Sequence, residues 1–300
     1  MSAHRPASIQ LGDVRATLDA IGATLTGLWF DDVSILAGPG RVAPELGHHG
    51  AVLVPWPNRI ADGRYEFEGS RHQLPINDAA FGHALHGLAF DQPWSVEQQG
   101  AASITFGRVV GGVDGFPFRV QVAITYTVTA TGLVCHATWR NVGLERTPFG
   151  IGFHPYFRPG PSPLAEWTLR FAASSHLESN PRTALPVRRR PMDEAEFDFR
   201  DGRELGPDRF SVAYELPMAS AGEHITLADP AGLTLSISTS AEYRWLQVFS
   251  GDLPSSTLSR RGVGIEPQTC PPNAFVTGTD LIVLEPGESG SATWSVDAAL

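Results

Sequence analysis

Phe118-Arg-Val-Gln-Val-Ala-Ile-Thr-Tyr-Thr-Val128, followed after Thr131-Gly132 by Leu133-Val-Cys-His-Ala-Thr-Trp139, is the stretch from which the fold can be read. Val120, Val122, Ile124, Tyr126 and Val128 alternate with Arg119, Gln121, Ala123, Thr125 and Thr127. Successive side chains of a strand point to opposite faces, so a period of two places one face in a core and the other toward water. Leu133, Cys135, Ala137 and Trp139 repeat the pattern against Val134, His136 and Thr138. The Thr-Gly step between the runs reads as the turn that returns a second strand beside the first.

Working outward, similar short runs are readable at 14–18, 23–30, 64–68, 71–75, 102–109, 167–172, 233–238, 244–249, 281–285 and 291–296. Asp62-Gly63, Glu68-Gly69-Ser70 and Pro286-Gly287 supply turn signals between several of them. No segment carries the 3.6-residue period over three turns. Many short strands with turn residues between them predict an all-β protein, a large antiparallel sandwich or barrel with few short helices. No repeat, low-complexity tract or linker divides the chain, so residues 1–300 are expected to form one domain. The least regular stretch, 174–222, is expected to be a long surface excursion, with Arg188-Arg189-Arg190 on a solvated face.

Composition narrows the function classes. Charged residues make up 18% and hydrophobic ones 42% of the 300 residues, as in ordinary globular proteins. The net charge of -10 argues against nucleic acid and anionic membranes as partners. The basic residues are all arginine, which removes lysine Schiff-base chemistry and the lysine-dependent phosphate loop. Cys135 and Cys270 are too few for a disulfide scaffold and fit a reducing cytoplasm. No apolar run of signal-peptide length opens the sequence, and no stretch approaches a membrane span. A Gly-x-Ser-x-Gly elbow and a dinucleotide-binding glycine fingerprint are both missing.

Four stretches carry candidate chemistry. In Gly150-Ile-Gly-Phe-His-Pro-Tyr-Phe-Arg158, His154 sits among bulky rings, and Pro155 restricts the backbone around it. Such a histidine is either a core residue bonded to backbone or an imidazole held at a fixed angle for use. In Gly264-Ile-Glu-Pro-Gln-Thr-Cys-Pro-Pro-Asn-Ala-Phe275, the carboxylate of Glu266 is fixed among prolines in the same way. Val54-Pro-Trp-Pro-Asn-Arg-Ile60 sets Asn58 and Arg59 after a rigid turn. The arginine there offers a planar fork of donors suited to carboxylates or paired hydroxyls, or else forms a surface salt bridge. Gln247, in Trp245-Leu-Gln-Val-Phe249, shares a strand face with two aromatics. Rings cover apolar faces while an amide reads hydroxyls, although the same pattern suits a plain exposed strand. His83 and His86 have a spacing that binds metal on a helix, but flanking glycines point to a loop and no matching ligands accompany them, so no metal is expected.

Taken in order, Asn58-Arg59-Ile60, Leu85-His86-Gly87, His154-Pro-Tyr-Phe157, Gln247-Val-Phe249 and Glu266-Pro-Gln-Thr-Cys-Pro-Pro-Asn-Ala-Phe275 resemble the aldose 1-epimerases, also called galactose mutarotases. Pro55-Trp-Pro-Asn-Arg-Ile-Ala-Asp-Gly63 is similar to bacterial members, and the resemblance runs from about residue 9 to the Asp280-Leu-Ile-Val-Leu-Glu-Pro-Gly-Glu288 ending. It implies a β-sandwich with a sugar cleft on one face. It also implies His154 as general acid, Glu266 as general base, and Asn58, Arg59, His86 and Gln247 as substrate contacts. The family's sugar-binding aspartate has Asp208 as its nearest match, although the residues after it depart from the family pattern.

The implied activity is interconversion of α and β anomers of a free aldohexose such as galactose or glucose. One carboxylate and one imidazole suffice for it, with no metal, nucleotide or redox centre. On this reading kcat/KM falls at low pH as Glu266 protonates and at high pH as His154 loses its proton. Three other readings stay open: an epimerase of a modified hexose such as a 6-phosphate, a glycoside hydrolase or lyase needing two facing carboxylates, and a non-catalytic sugar-binding module. The sequence leaves the oligomeric state unassigned.

Overall fold

The computed structural model describes residues 6–41, 43, 47–217, 225–254 and 257–299. Two large antiparallel sheets dominate it. The first has nine strands, in the order Ser95–Gln99, Ser103–Val113, Phe116–Val128, Gly132–Asn141, Ser289–Ala299, Thr234–Thr239, Ile225–Ala228, Thr168–Arg170 and Arg203–Glu204. Its centre is the expected hairpin. Along Phe116–Val128 buried residues alternate with exposed or half-buried ones, and Val128 faces Leu133 across the turn. Thr129 closes that turn, its amide donating to Gly132 O at 2.9 Å and its hydroxyl accepting the Gly132 N–H at 2.9 Å.

The second sheet has eight strands. Pro186–Pro191, Ser175–Ser179, Ser211–Glu215, Trp245–Phe249, Val263–Gln268, Gly152–Phe153 and Val52–Leu53 follow one another, and Tyr156–Phe157 also pairs with Val263–Gln268. The inner faces of both sheets share one apolar core. Ile124, Tyr126 and Trp294 from the first meet Leu246, Val248, Val263 and Ile265 from the second. A fully buried large side chain of this kind contributes about 1.5–3 kcal/mol, so this shared core is the main source of cohesion. The outcome is the expected β-sandwich. Its one α-helix among the described residues is Ala274–Thr277, with short 3-10 turns elsewhere.

A satellite cluster of Trp56, Ile60, Tyr65, Leu74, Ala84, Phe116, Phe118 and Phe275 lies beneath the segment that carries Asn58 and Arg59. Trp56 meets Phe275 edge-on at 5.7 Å between ring centroids. The aromatic turn is thereby clamped to the end of the sandwich.

Segment 174–222 departs from expectation. Its described part supplies Ser175–Ser179, Pro186–Pro191 and Ser211–Glu215 to the second sheet and Arg203–Glu204 to the first; 218–222 lie outside the described residues. The strands were hidden because residues such as Ser175, Glu178, Arg188 and Ser211 carry polar groups along them. The arginine triplet is exposed in part, with 56% of the Arg188 and Arg189 side chains open to water. It is also tied down: Arg188 and Arg190 reach Glu178 through Nε at 2.7 and 2.6 Å, and Arg189 pairs with buried Glu215.

Candidate active site

The site forms on the face of the second sheet away from the core. Gln247 lies directly opposite Glu266 across two neighbouring strands, so both side chains leave the sheet on one face. Their neighbours Leu246, Val248, Ile265 and Val263 point into the core instead. Gln268, two residues beyond Glu266, shares the cleft face and donates Nε2–H to Glu266 Oε2 at 3.1 Å. Two glycines make room: a Cβ on Gly152 would meet Gln268 Cγ at 3.0 Å and Pro57 Cβ at 2.9 Å, and one on Gly264 would meet Glu266 Oε1 at 3.4 Å.

His154 is brought to this carboxylate by the two short strands that flank it, Gly152–Phe153 and Tyr156–Phe157, both paired to Val263–Gln268. Nε2 of His154 lies 3.3 Å from Glu266 Oε1, and both side chains are buried. Asn58 and His86 arrive on a second pair of crossing segments. The Asn58 N–H donates to His86 Nδ1 at 3.2 Å, and the His86 N–H donates to Asn58 O at 2.9 Å. Asn58 (φ 56°) and His86 (φ 62°) both adopt left-handed backbone at this crossing. The turn continues through Gly87 (φ 79°), where a Cβ would strike Val54 O at 1.9 Å, so only glycine fits.

Five of the seven candidates thus form a closed circuit. Asn58 Nδ2 donates to Gln247 Oε1 at 3.4 Å, Gln247 faces Glu266, Glu266 meets His154, and the His154 ring lies 5.3 Å from the His86 ring, which returns to Asn58. Arg59 flanks the circuit. Its Nε binds Asp78 Oδ2 at 2.7 Å, and its guanidinium lies 5.0 Å over the Phe81 ring. Asp208 is placed differently. It is exposed in the stretch before Ser211–Glu215, its backbone carbonyl accepts a bond from Arg260 Nη1 at 3.1 Å, and among the described residues none of the bonds of the circuit reaches its carboxylate. His83 turns away from His86: its ring nitrogens meet the Asp62 N–H at 3.1 Å and Thr183 O at 2.9 Å.

Burial sets the protonation of the pair. It pushes the Glu266 carboxyl up to about 8, opposed by the Gln268 amide and the Arg59 charge. It holds His154 well below the usual imidazole value, aided by the neighbouring His48 and His49 rings. His86 is lowered likewise, by burial first and then by His48, His154 and Arg59. Because His86 Nδ1 accepts a backbone N–H, the neutral ring carries its proton on Nε2 and is a donor there. The resting pair is therefore neutral imidazole beside protonated carboxyl. This reverses the expected order of ionisation, in which Glu266 was the group titrating at low pH.

Sequence reasoning missed Gln268, Asp78, Ser211, which accepts Gln247 Nε2–H at 2.9 Å, and His48, whose ring meets those of His86 and His154. Gln268 was findable, since Glu-x-Gln on a strand puts both side chains on one face. Nothing local marks Asp78 as the partner of Arg59.

A buried carboxyl and imidazole 3.3 Å apart, ringed by amides and further imidazoles on one face of a β-sandwich, suit a small polyhydroxylated ligand. Comparison with known proteins agrees. The aldose 1-epimerase family model matches residues 7–297, and the chain belongs to that family of carbohydrate-acting isomerases. It is 32% identical over 282 residues to the uncharacterized protein YihR of Escherichia coli K12, covering 94% of this chain and 89% of that one. It is 28% identical over 235 residues to the aldose 1-epimerase of Haemophilus influenzae, covering 71% and 66% of the two chains. Its fold matches that of the GalM/aldose epimerase homologue from C. elegans with a TM-score of 0.89 over 99% of both chains, at 20% identity.

Proposed function

We propose that this protein, as a single domain, interconverts the α and β anomers of a free aldohexose, with Glu266 and His154 exchanging protons with the sugar. One observation carries the reading: Oε1 and Nε2 lie 3.3 Å apart on a buried surface. The anomeric hydroxyl and the ring oxygen are bonded to the same carbon, so an acid and a base that serve both must be close neighbours. A glycosidase pair, by contrast, is two carboxylates about 5–9.5 Å apart. The named activity of the Haemophilus influenzae relative supports the same choice.

The proton inventory closes. Ring opening uses the charged form of the pair, imidazolium and carboxylate, reached from the neutral resting pair when the Glu266 proton passes to His154 Nε2 across 3.3 Å. Glu266 takes the proton of the anomeric hydroxyl, the C1–O5 bond breaks as the carbonyl forms, and O5 takes the proton of His154. Rotation about C1–C2 presents the other aldehyde face. On closure O5 attacks C1, His154 recovers its proton and Glu266 protonates the carbonyl oxygen. Neutral His154 beside protonated Glu266 is the state that accompanies the open-chain sugar, and burial of both groups favours it over the ion pair. His86 Nε2–H, the amides of Asn58 and Gln247, and Arg59 supply donors and acceptors for the hydroxyls; Asp208 enters only if its loop turns inward on binding.

The one-proton pair is the active form. Activity falls at low pH when His154 gains a second proton, below the ordinary imidazole value, and at high pH when the last proton leaves near about 8. The free, buried thiols Cys135 and Cys270 support a cytoplasmic location. Following optical rotation of freshly dissolved α-glucose, α-galactose and their 6-phosphates with and without protein tests the proposal. Acceleration with the free sugars is expected. A much higher kcat/KM for a 6-phosphate overturns the substrate, and no acceleration with any sugar overturns the reaction.

A further inference from the structure

His154 Nδ1 is buried and, among the described residues, has no hydrogen-bond partner. A working histidine is usually oriented by the bond its second nitrogen makes. Here the backbone is held by one short segment, 48–51, and the ring lies between rings from that segment and from Tyr156. The His154 N–H donates to Ala51 O at 3.0 Å, and its carbonyl accepts the Gly50 N–H at 2.9 Å. Ala51 N–H turns back to His48 O at 3.0 Å. His48 (φ 57°) and Gly50 (φ 70°) are both left-handed, and a Cβ on Gly50 would strike Leu25 O at 1.9 Å. This tight turn sends two adjacent rings to different places.

His49 stacks on Tyr156 at 4.1 Å, and Tyr156 stacks on His154 at 4.9 Å with only 10° between planes. His48 lies nearly parallel to His154, at 17° and 6.3 Å, and edge-on to His86 at 4.8 Å and Phe90 at 4.9 Å. His48 is half-buried where His154 and His86 are buried, so it stands toward the open side of the cleft. We propose that His48 is a positioning residue for His154: its flat ring, wedged between His86 and Phe90, keeps the His154 ring in the plane that aims Nε2 at Glu266. The proposal rests on the reading of His154 and Glu266 as the acid–base pair.

Two variants of the full chain separate shape from charge. His48→Leu keeps volume without a flat ring, and His48→Phe keeps the flat ring without a charge. Misaiming a proton donor acts on turnover, so His48→Leu is expected to lower kcat about 10-fold, with KM and the His48→Phe kcat within about threefold of wild type. A second signature is electrostatic. A charged His48 opposes a charge on His154, so His48→Phe moves the acid limb of kcat/KM to higher pH. His49, Tyr156, His86 and Glu266, the other titratable groups set around His154, are unchanged in that variant.

Raised KM with unchanged kcat in both variants makes His48 a substrate contact and overturns the proposal. So does unchanged kcat in both, or an equal loss in both. Should His48→Leu not fold, His48→Phe decides alone: kcat within about threefold supports the proposal and a larger loss overturns it. His154→Asn measured in parallel isolates the underlying reading, because full activity there removes the acid–base pair itself rather than the role of His48.

Discussion

The nine-stranded and the eight-stranded sheets share one core but treat their second faces differently. In the first, strands of up to 13 residues bury one face and leave the other half-exposed or open. Its buried polar atoms include matched ones, as where Tyr126 donates to Ala23 O at 2.9 Å, and, among the described residues, two without a partner, Trp139 Nε1 and Trp294 Nε1. In the second, the strands have two to six residues; the outer Pro186–Pro191 is largely exposed, but the central Val263–Gln268 is buried at every position. Its second cover is the cleft, and beneath it lie Gln247, Glu266, Gln268 and His154 with two orphan atoms, Gln268 Oε1 and His154 Nδ1. A buried polar atom without a partner costs about 1–3 kcal/mol. Both sheets bear that cost; what sets the short-stranded one apart is that its buried polar groups include ionisable ones, Glu266 and His154, whose burial is a further expense of stability.

The sharpest way to break this division is to strike each sheet once. Glu266→Gln keeps shape and removes the proposed base, so sugar is expected still to bind while kcat drops about 10²–10⁴-fold. His154→Asn behaves likewise, and the double variant loses far less than the product, because the groups act as a unit. Steady-state polarimetry reads both, and near-normal turnover in Glu266→Gln makes the carboxylate structural. Ile124→Ala in the long-stranded sheet does the opposite. It removes a fully buried side chain and costs about 2–5 kcal/mol of stability by denaturant titration, with kcat of the folded fraction unchanged. A loss of kcat matching the loss of stability means that the two sheets are not separable in this way.

A smaller effect tests how finely the cleft sheet tunes its base. Gln268→Met removes the donor that lowers the Glu266 carboxyl, so that group rises further and the alkaline limb of kcat/KM moves to higher pH. Turnover falls about 10-fold as the carboxyl loses its fixed orientation. An alkaline limb that stays in place confines Gln268 to packing.

The same contrast explains what was legible in the sequence. Phe116–Val128 and Gly132–Asn141 announce themselves because one face is wet, and wet against dry is what produces a period of two. Val263–Gln268 gives no such signal, since Glu266 and Gln268 are polar yet buried, and its strand is visible only once the cleft is known. Gly152–Phe153 and Arg59–Ile60 are too short for any period. The residues of the circuit were found through motif order, whereas Asp78 and His48 were not, because their roles arise from loops that meet only in the folded chain. Asp208 shows the limit of matching by order: its loop is present, but its carboxylate is not tied to the pair.

If the cleft sheet does sacrifice stability for function, removing the buried charge should return some of it, and pH decides when. The Glu266 carboxyl rises from 4.5 to about 8 on folding. Between those values the folded chain keeps a proton that the unfolded chain has lost, so the contribution of Glu266 to stability is full below the lower value and is lost as pH rises through the upper one. His154, lowered by burial, works in the opposite sense and loses stability as pH falls below the ordinary imidazole range. Glutamine mimics the protonated carboxyl and does not titrate. Glu266→Gln should therefore melt with wild type near about pH 4 and above it at about pH 9, by about 2–4 °C for each kcal/mol recovered. Thermal unfolding of both proteins across that range isolates the Glu266 term, because the His154 contribution is common to the two. A melting difference that stays constant with pH means that the carboxyl ionises alike in the folded and unfolded chains, and the buried neutral pair on which the mechanism rests is then absent.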